Sequence, residues 1–131
     1  MNTTATVLAV DDNPIVLEGL VEYLREVGFH VVSTLSGREG LDLVFRSRPD
    51  VVVCDYAMPD LDGLSLLRVL RRATMTATIP FVMLSSRADL YVRREVSRFP
   101  VTAYVDKCTG ISNLVSAIWH LLQGATPSAP S

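Results

Sequence analysis

The run Val51-Val52-Val53-Cys54, followed at once by Asp55, narrows the choice of fold more than any other segment. Four successive apolar residues without alternation suit a strand covered on both faces, the situation of a parallel sheet. Covering both faces requires helices above and below, and the rest of the chain supplies the pattern. Five short apolar runs alternate with amphipathic stretches. Strands are expected at Thr6 to Val10, His30 to Thr34, Val51 to Cys54, Phe81 to Leu84 and Ala103 to Val105. Pro14 opens a first helix with Leu17, Leu20, Val21 and Leu24 at helical spacing, and Gly28 stops it. Ser36-Gly37-Arg38-Glu39 reads as a capping box for a second helix running to about Arg46, with Leu41, Val44 and Phe45 inward. Pro59 and Gly63 bracket a turn before a third helix that reaches about Thr74. Asp89 caps a fourth with Val92, Val96 and Phe99 on one face. Ile111 to Gln123 form a fifth, with Leu114, Ala117, Ile118 and Leu121 inward.

Strict alternation of this kind gives an α/β fold, a (βα)5 flavodoxin-like three-layer sandwich with a parallel sheet in the order 2-1-3-4-5. The 131 residues fit one domain. The expected division is residues 1–123 as the domain and 124–131, all Gly, Ala, Thr, Pro and Ser, as a flexible tail or linker. A net charge of −2 offers no electrostatic reason to bind nucleic acid or an anionic membrane. The N-terminus lacks the pattern of a signal peptide, and no segment is apolar for long enough to span a bilayer, so the cytoplasm is the expected location. Cys54 and Cys108 have neither C-x-x-C nor zinc spacing and read as incidental thiols. His30 and His120 show no ligand spacing.

In open parallel sheets, ligands bind beyond the carboxyl ends of the strands where the strand order switches. Strand one ends in Asp11-Asp12, strand three in Asp55, strand four in Ser85 and strand five in Lys107. The order 2-1-3-4-5 makes strands one and three neighbours, so three carboxylates converge. Two such charges about 4 Å apart repel by about 4 kcal/mol at a surface-like dielectric. A hard divalent cation offsets this, and Mg2+ favours one or two carboxylates with waters and phosphate oxygens. A carboxylate beside Mg2+ and a lysine is suited to accepting a phosphoryl group, because that transfer needs positioning and charge neutralisation above all.

These segments resemble the receiver domains of bacterial two-component response regulators over about Val7 to Leu122. The stretches that carry the likeness are Val7-Leu8-Ala9-Val10-Asp11-Asp12-Asn13-Pro14, Asp55-Tyr56-Ala57-Met58-Pro59-Asp60-Leu61-Asp62-Gly63, Ile79-Pro80-Phe81-Val82-Met83-Leu84-Ser85-Ser86 and Tyr104-Val105-Asp106-Lys107. The resemblance implies that Asp55 is the phosphoacceptor. It implies Mg2+ held directly by Asp12 and Asp55, with Asp11 acting largely through water and the Ala57 carbonyl as a further ligand. Ser85 would bond the phosphoryl group and shift towards it, Tyr104 would change rotamer with it, and Lys107 would pair with it. A sensor histidine kinase or phosphotransfer protein is the implied donor, and the face of helix 4, strand 5 and helix 5 the implied switch surface, engaging an output partner or a second copy.

The chain departs from the family pattern at Cys108, where proline is usual and its bond is often cis. A cis bond before a non-proline costs about 3–4 kcal/mol, so a trans bond or a rearranged loop is expected. Ser86 replaces the preferred alanine. Ala57 cannot orient a water and Arg87 could reach the phosphoryl group, which predicts slow loss of phosphate. Val115, Trp119 and Leu122 form a second apolar stripe on helix five, read either as a wide buried face or as a partner surface near Tyr104, Arg93, Arg94 and Arg98. Three other functions compete. An aspartate-nucleophile phosphatase usually has a second carboxylate where Ala57 stands, and an FMN carrier would need a Ser/Thr/Gly-rich loop after strand one. A degenerate docking module would lack Mg2+ binding.

Overall fold

The structure, a computed structural model, describes residues 5–85 and 89–124. Five strands, β1 (Thr6–Val10), β2 (His30–Thr34), β3 (Val51–Asp55), β4 (Phe81–Ser85) and β5 (Thr102–Asp106), alternate with helices α1 (Pro14–Val27), α2 (Gly37–Ser47), α3 (Gly63–Arg72), α4 (Leu90–Ser97) and α5 (Ile111–Gly124). The strands are parallel and lie in the order β2-β1-β3-β4-β5, as the alternation predicts.

The pleat divides the apolar residues into two cores. Val7, Ala9, Val51 and Val53 face one way and pack with Leu17, Leu20 and Leu24 of α1 and Leu114, Ile118 and Leu121 of α5. Leu8, Val10, Val52 and Cys54 face the other and meet Val44 of α2, Leu66, Leu67 and Leu70 of α3, and Val92 and Val96 of α4. Each large apolar side chain withdrawn from water contributes roughly 1.5–3 kcal/mol. The unbroken run in β3 is therefore a strand buried on both faces.

Several local expectations need correction. The capping box of α2 is only half formed. The Ser36 side chain accepts from the Glu39 N–H at 3.1 Å, but the Glu39 carboxylate turns to the Thr34 hydroxyl instead of the Ser36 N–H. That N–H donates to Thr34 Oγ1 at 3.2 Å. Phe45 is exposed, not inward, because the buried stripe of α2 runs through Gly37, Gly40 and Val44. The third helix stops at Arg72, and β4 and β5 each reach one residue further towards the site than expected. Trp119 is half-buried, its ring centred 4.9 Å from that of Phe29 in the α1/α5 core, whereas Tyr104 packs on the opposite core. Val115, Trp119 and Leu122, the second stripe of α5, are each partly buried, packed on that core on one side and exposed on the other. Gly124 closes α5, and the rest of the expected tail, like Ser86 and Arg87, lies outside the described residues.

At the amino ends of β4 and β5, Arg71 reaches out from the last turn of α3. Its guanidinium donates to the carbonyls of Ile79 at 2.7 Å, Thr76 and Pro100 at 3.2 Å and Val101 at 3.3 Å. Burial lowers its pKa to about 10. One of those acceptors, Val101, has φ of 56°, a conformation unusual for a β-branched residue. Its carbonyl also accepts from the Phe81 N–H at 3.0 Å, so the strained turn is held from two sides.

Candidate functional site

The site forms at the other end of the sheet, and strand register builds it. Val10 of β1 lies opposite Cys54 of β3, so the residues that follow, Asp11 and Asp55, leave the sheet side by side. Asp55 in turn lies opposite Leu84 of β4, and Ser85 opposite Asp106 of β5. The next residue is Lys107, which starts a short 3-10 turn through Thr109. Asp106 caps that turn by accepting from the Cys108 N–H at 2.8 Å. Among the described residues every peptide bond is trans, the one joining Lys107 to Cys108 included. Lys107 still faces the carboxylates.

Asp11, Asp12 and Asp55 each bring a carboxylate oxygen within 4.8 Å of the others. Asp11 and Asp55 are buried and Asp12 is exposed. Lys107 Nζ donates to Asp11 Oδ2 at 2.8 Å and pairs with Asp55 Oδ1 at 3.0 Å. The other Asp11 oxygen accepts from the Asn13 N–H at 2.9 Å. Both Asp11 oxygens are thereby engaged. Asn13 does a second job, because its own side chain accepts from the N–H groups of Ile15 and Val16 and caps α1. The start of α1 and the orientation of Asp11 are set by one tight turn.

The electrostatics are unbalanced. Burial raises the pKa of Asp55; its bond to Lys107 opposes this, and the charges of Asp11 and Asp12 add to the rise. Burial alone would lower Lys107, but its bonds to Asp11 and Asp55 prevail and hold it above its ordinary value. Three carboxylates cluster around one ammonium, which pairs with two of them, Asp11 and Asp55. All the donors are hard oxygens, the set that suits Mg2+ or Ca2+ and not a thiophilic metal. Cys54, just before Asp55, is buried and free, and burial pushes its thiol up so that it stays protonated.

Of the remaining residues picked out from sequence, Ser85 is buried at the end of β4. Tyr104 is half-buried in the middle of β5, its hydroxyl accepting from the Asp89 N–H at 3.3 Å, with the Arg93 guanidinium 5.1 Å from its ring centre. Ala57 is exposed in the loop between β3 and α3. That loop is closed by the Gly63 N–H donating to the Tyr56 carbonyl at 2.9 Å. A Cβ on Gly63 would stand 2.7 Å from both the Asp55 carbonyl oxygen and Met83 Sδ, so only glycine lets α3 begin so close beneath the site.

Sequence reasoning missed Asp60. Its carboxylate accepts from Ser36 Oγ at 2.8 Å, the Arg38 N–H at 3.0 Å and the Gly37 N–H at 3.2 Å, which ties the loop after β3 to the start of α2. Those bonds hold its carboxyl well below the ordinary range. The partners are more than twenty residues away in sequence, and no local pattern announces them.

Comparison with known proteins agrees with this geometry. The family model for the response regulator receiver domain matches residues 7–119. The transcriptional regulatory protein PrrA of Mycobacterium tuberculosis is 34% identical over 131 residues, covering 98% of this chain and 55% of the relative. The response regulator MprA of Mycolicibacterium vanbaalenii is 35% identical over 121 residues, covering 92% and 52%. The chain spans about half the length of the curated relatives it matches. Among solved structures, a Francisella response regulator receiver domain superposes with a TM-score of 0.84 at 27% identity, over 94% of this chain and all of its own. The chemotaxis protein CheY4 of Vibrio cholerae gives 0.82 at 24% identity over 90% of this chain and 98% of its own, a likeness of fold alone.

Proposed function

The chain belongs to the response regulator receiver family of two-component signalling, and from that premise we propose that Asp55 is its phosphoacceptor, served by Mg2+, Lys107 and Ser85. The observation that carries this reading is the bridge from Lys107 Nζ to both Asp55 and Asp11, with Asp12 close enough to share a cation with them.

Asp12 and Asp55 would hold Mg2+ directly, with the Ala57 carbonyl as a further ligand. Asp11 would act through water, consistent with the engagement of its two oxygens by Lys107 and Asn13. The bound ion supplies neutralisation of charge on the phosphoryl oxygens. An Asp55 carboxylate oxygen attacks phosphorus as the bond from phosphorus to the donor breaks. For a phosphohistidine donor the electron pair stays on the imidazole nitrogen. Lys107 leaves its pairing with Asp55 for the arriving phosphoryl group, and the Ser85 hydroxyl donates to another of its oxygens. Movement of Ser85 would reset Tyr104, whose present bond to the Asp89 N–H marks the start of α4 as the first segment to respond. Arg93, Tyr104, Asn113, Ser116 and His120 line a groove across α4, β5 and α5, which we assign as the surface read by an output partner or a second copy. Slow loss of phosphate follows from Ala57, which has no group to orient an attacking water.

The donor would be a sensor histidine kinase or a phosphotransfer protein. No helix among the described residues is long and apolar enough to cross a membrane, and cytoplasmic placement is proposed on the family's role. A phosphatase reading has no support here, since no carboxylate stands two residues after Asp55.

The test is incubation with Mg2+ and acetyl phosphate, read by intact mass. A labile phosphate adduct is expected on the wild type, absent with EDTA and absent in Asp55→Asn. An adduct that persists in Asp55→Asn would overturn the assignment.

A further inference from the structure

The connection between β2 and α2 supplies none of the carboxylates, yet it touches both loops that do. On one side the Asp11 N–H donates to the Thr34 carbonyl at 3.3 Å. On the other, Asp60 of the β3–α3 loop accepts from Ser36 Oγ, Gly37 N–H and Arg38 N–H. A carboxylate at a helix N-terminus meets unpaired N–H groups and the positive end of the helix dipole. Here the carboxylate comes from a different loop, so the bonds that complete α2 also anchor that loop. Gly37 adds a close approach, since a Cβ there would run into the Leu61 carbonyl and stand 3.1 Å from Leu61 Cβ.

The anchors divide the loop. Its first residue, Tyr56, is held by the Gly63 N–H, and Asp60 is held by α2. Residues 57–59 lie between them, with the Met58 side chain buried against α3 and Ala57 exposed, so the Ala57 backbone is set by Tyr56 and Met58 on either side and, through the next turn of the loop, by Asp60. We propose that Asp60 is a positioning residue for the phosphoryl site, clamping the β3–α3 loop on the start of α2 and so setting the backbone of Ala57 against Asp12 and Asp55. The proposal rests on the reading of Asp55 and Ala57 given above. A residue that only capped α2 would affect stability and leave cation binding alone.

The experiment separates the two roles. Mg2+ alone is titrated into wild type, Asp60→Ala and the milder Asp60→Asn by calorimetry, well below their melting temperatures, and labelling rates with acetyl phosphate are then measured against Mg2+. Thr76→Val serves as the control, because the buried Thr76 hydroxyl donates to the Leu70 carbonyl at 2.6 Å at the far end of α3. Asp60→Ala is expected to raise the Mg2+ concentration for half-saturation roughly tenfold, with Asp60→Asn between it and wild type. The rate at saturating Mg2+ should stay within about twofold, the pattern of a lost binding contribution. Thr76→Val should lower the melting temperature without moving Mg2+ affinity. If both Asp60 variants bind Mg2+ like wild type, or Thr76→Val shifts it equally, the clamp is overturned while the phosphoacceptor stands. If the wild type does not bind Mg2+, the assignment of the site falls and the clamp falls with it.

Discussion

The two ends of the sheet solve opposite electrostatic problems. At the amino ends of β4 and β5 one guanidinium, Arg71, meets four backbone carbonyls, so a charge drawn away from water has four hydrogen bonds to set against its burial. At the carboxyl ends three carboxylates cluster where one ammonium pairs with two of them, and burial raises the pKa of Asp55. The first end is balanced by acceptors within the fold. The second is left with excess negative charge, which favours whatever brings positive charge to it. Satisfied and unbalanced charge therefore reside at opposite ends of the same strands, the arrangement expected if the proposed site departs from local optimisation.

Removing Arg71 gives the sharpest test of that division. Arg71→Ala removes four hydrogen bonds, although the carbonyls of Thr76 and Val101 keep a backbone donor, and should cost about 3 kcal/mol in a urea melt, with Mg2+ affinity unchanged. A large shift in Mg2+ affinity would break the separation of the two ends. Gly63→Ala comes next. The added methyl meets the Asp55 carbonyl and Met83, so about 2 kcal/mol is expected to be lost. Labelling by acetyl phosphate should also slow, because relief of the clash moves Asp55 itself. The smallest effect has the opposite sign. In EDTA, Asp55→Asn should stabilise the fold by less than about 1 kcal/mol at neutral pH, the gain being limited by solvent screening. The folded-state pKa of Asp55 is raised, so its ionisation penalty appears as pH rises through that value and is absent below the unfolded value. The advantage of Asn over Asp should accordingly shrink on acidification. A loss of stability in Asp55→Asn would mean that the Lys107 bond outweighs burial and repulsion.

Much of this molecule was legible in particular residues. The unbroken β3 run, Pro14 and Gly28 around α1, and Asp89 before α4 each act through contacts a few residues long, and the structure follows them. The acidic pair, Asp55 and Lys107 were legible because the positions after the strands of a parallel sheet converge whatever the loops do. Where non-local contacts compete, sequence reasoning fell short. Glu39 was expected to complete its own capping box, but the Thr34 hydroxyl took it. Phe45 was placed inward by periodicity, yet the close packing of Gly37 and Gly40 turns that helix so that Phe45 faces water. Trp119 could be read as buried or as partly exposed, and it is both, with Phe29, far off in sequence, covering one side of it.

The order of polar residues along the chain determined by itself that three carboxylates and a lysine would meet, because alternating strands and helices admit few arrangements and strand ends are fixed by hydrophobic runs. Tertiary structure alone decided how they meet. Register set Asp11 beside Asp55, a trans turn after Lys107 still delivered its ammonium to both, and Asp60 was matched with the start of α2. Hydrophobic pattern is a property of neighbours in the chain, whereas a hydrogen bond between distant loops depends on ångström-scale distances that only the packed molecule possesses.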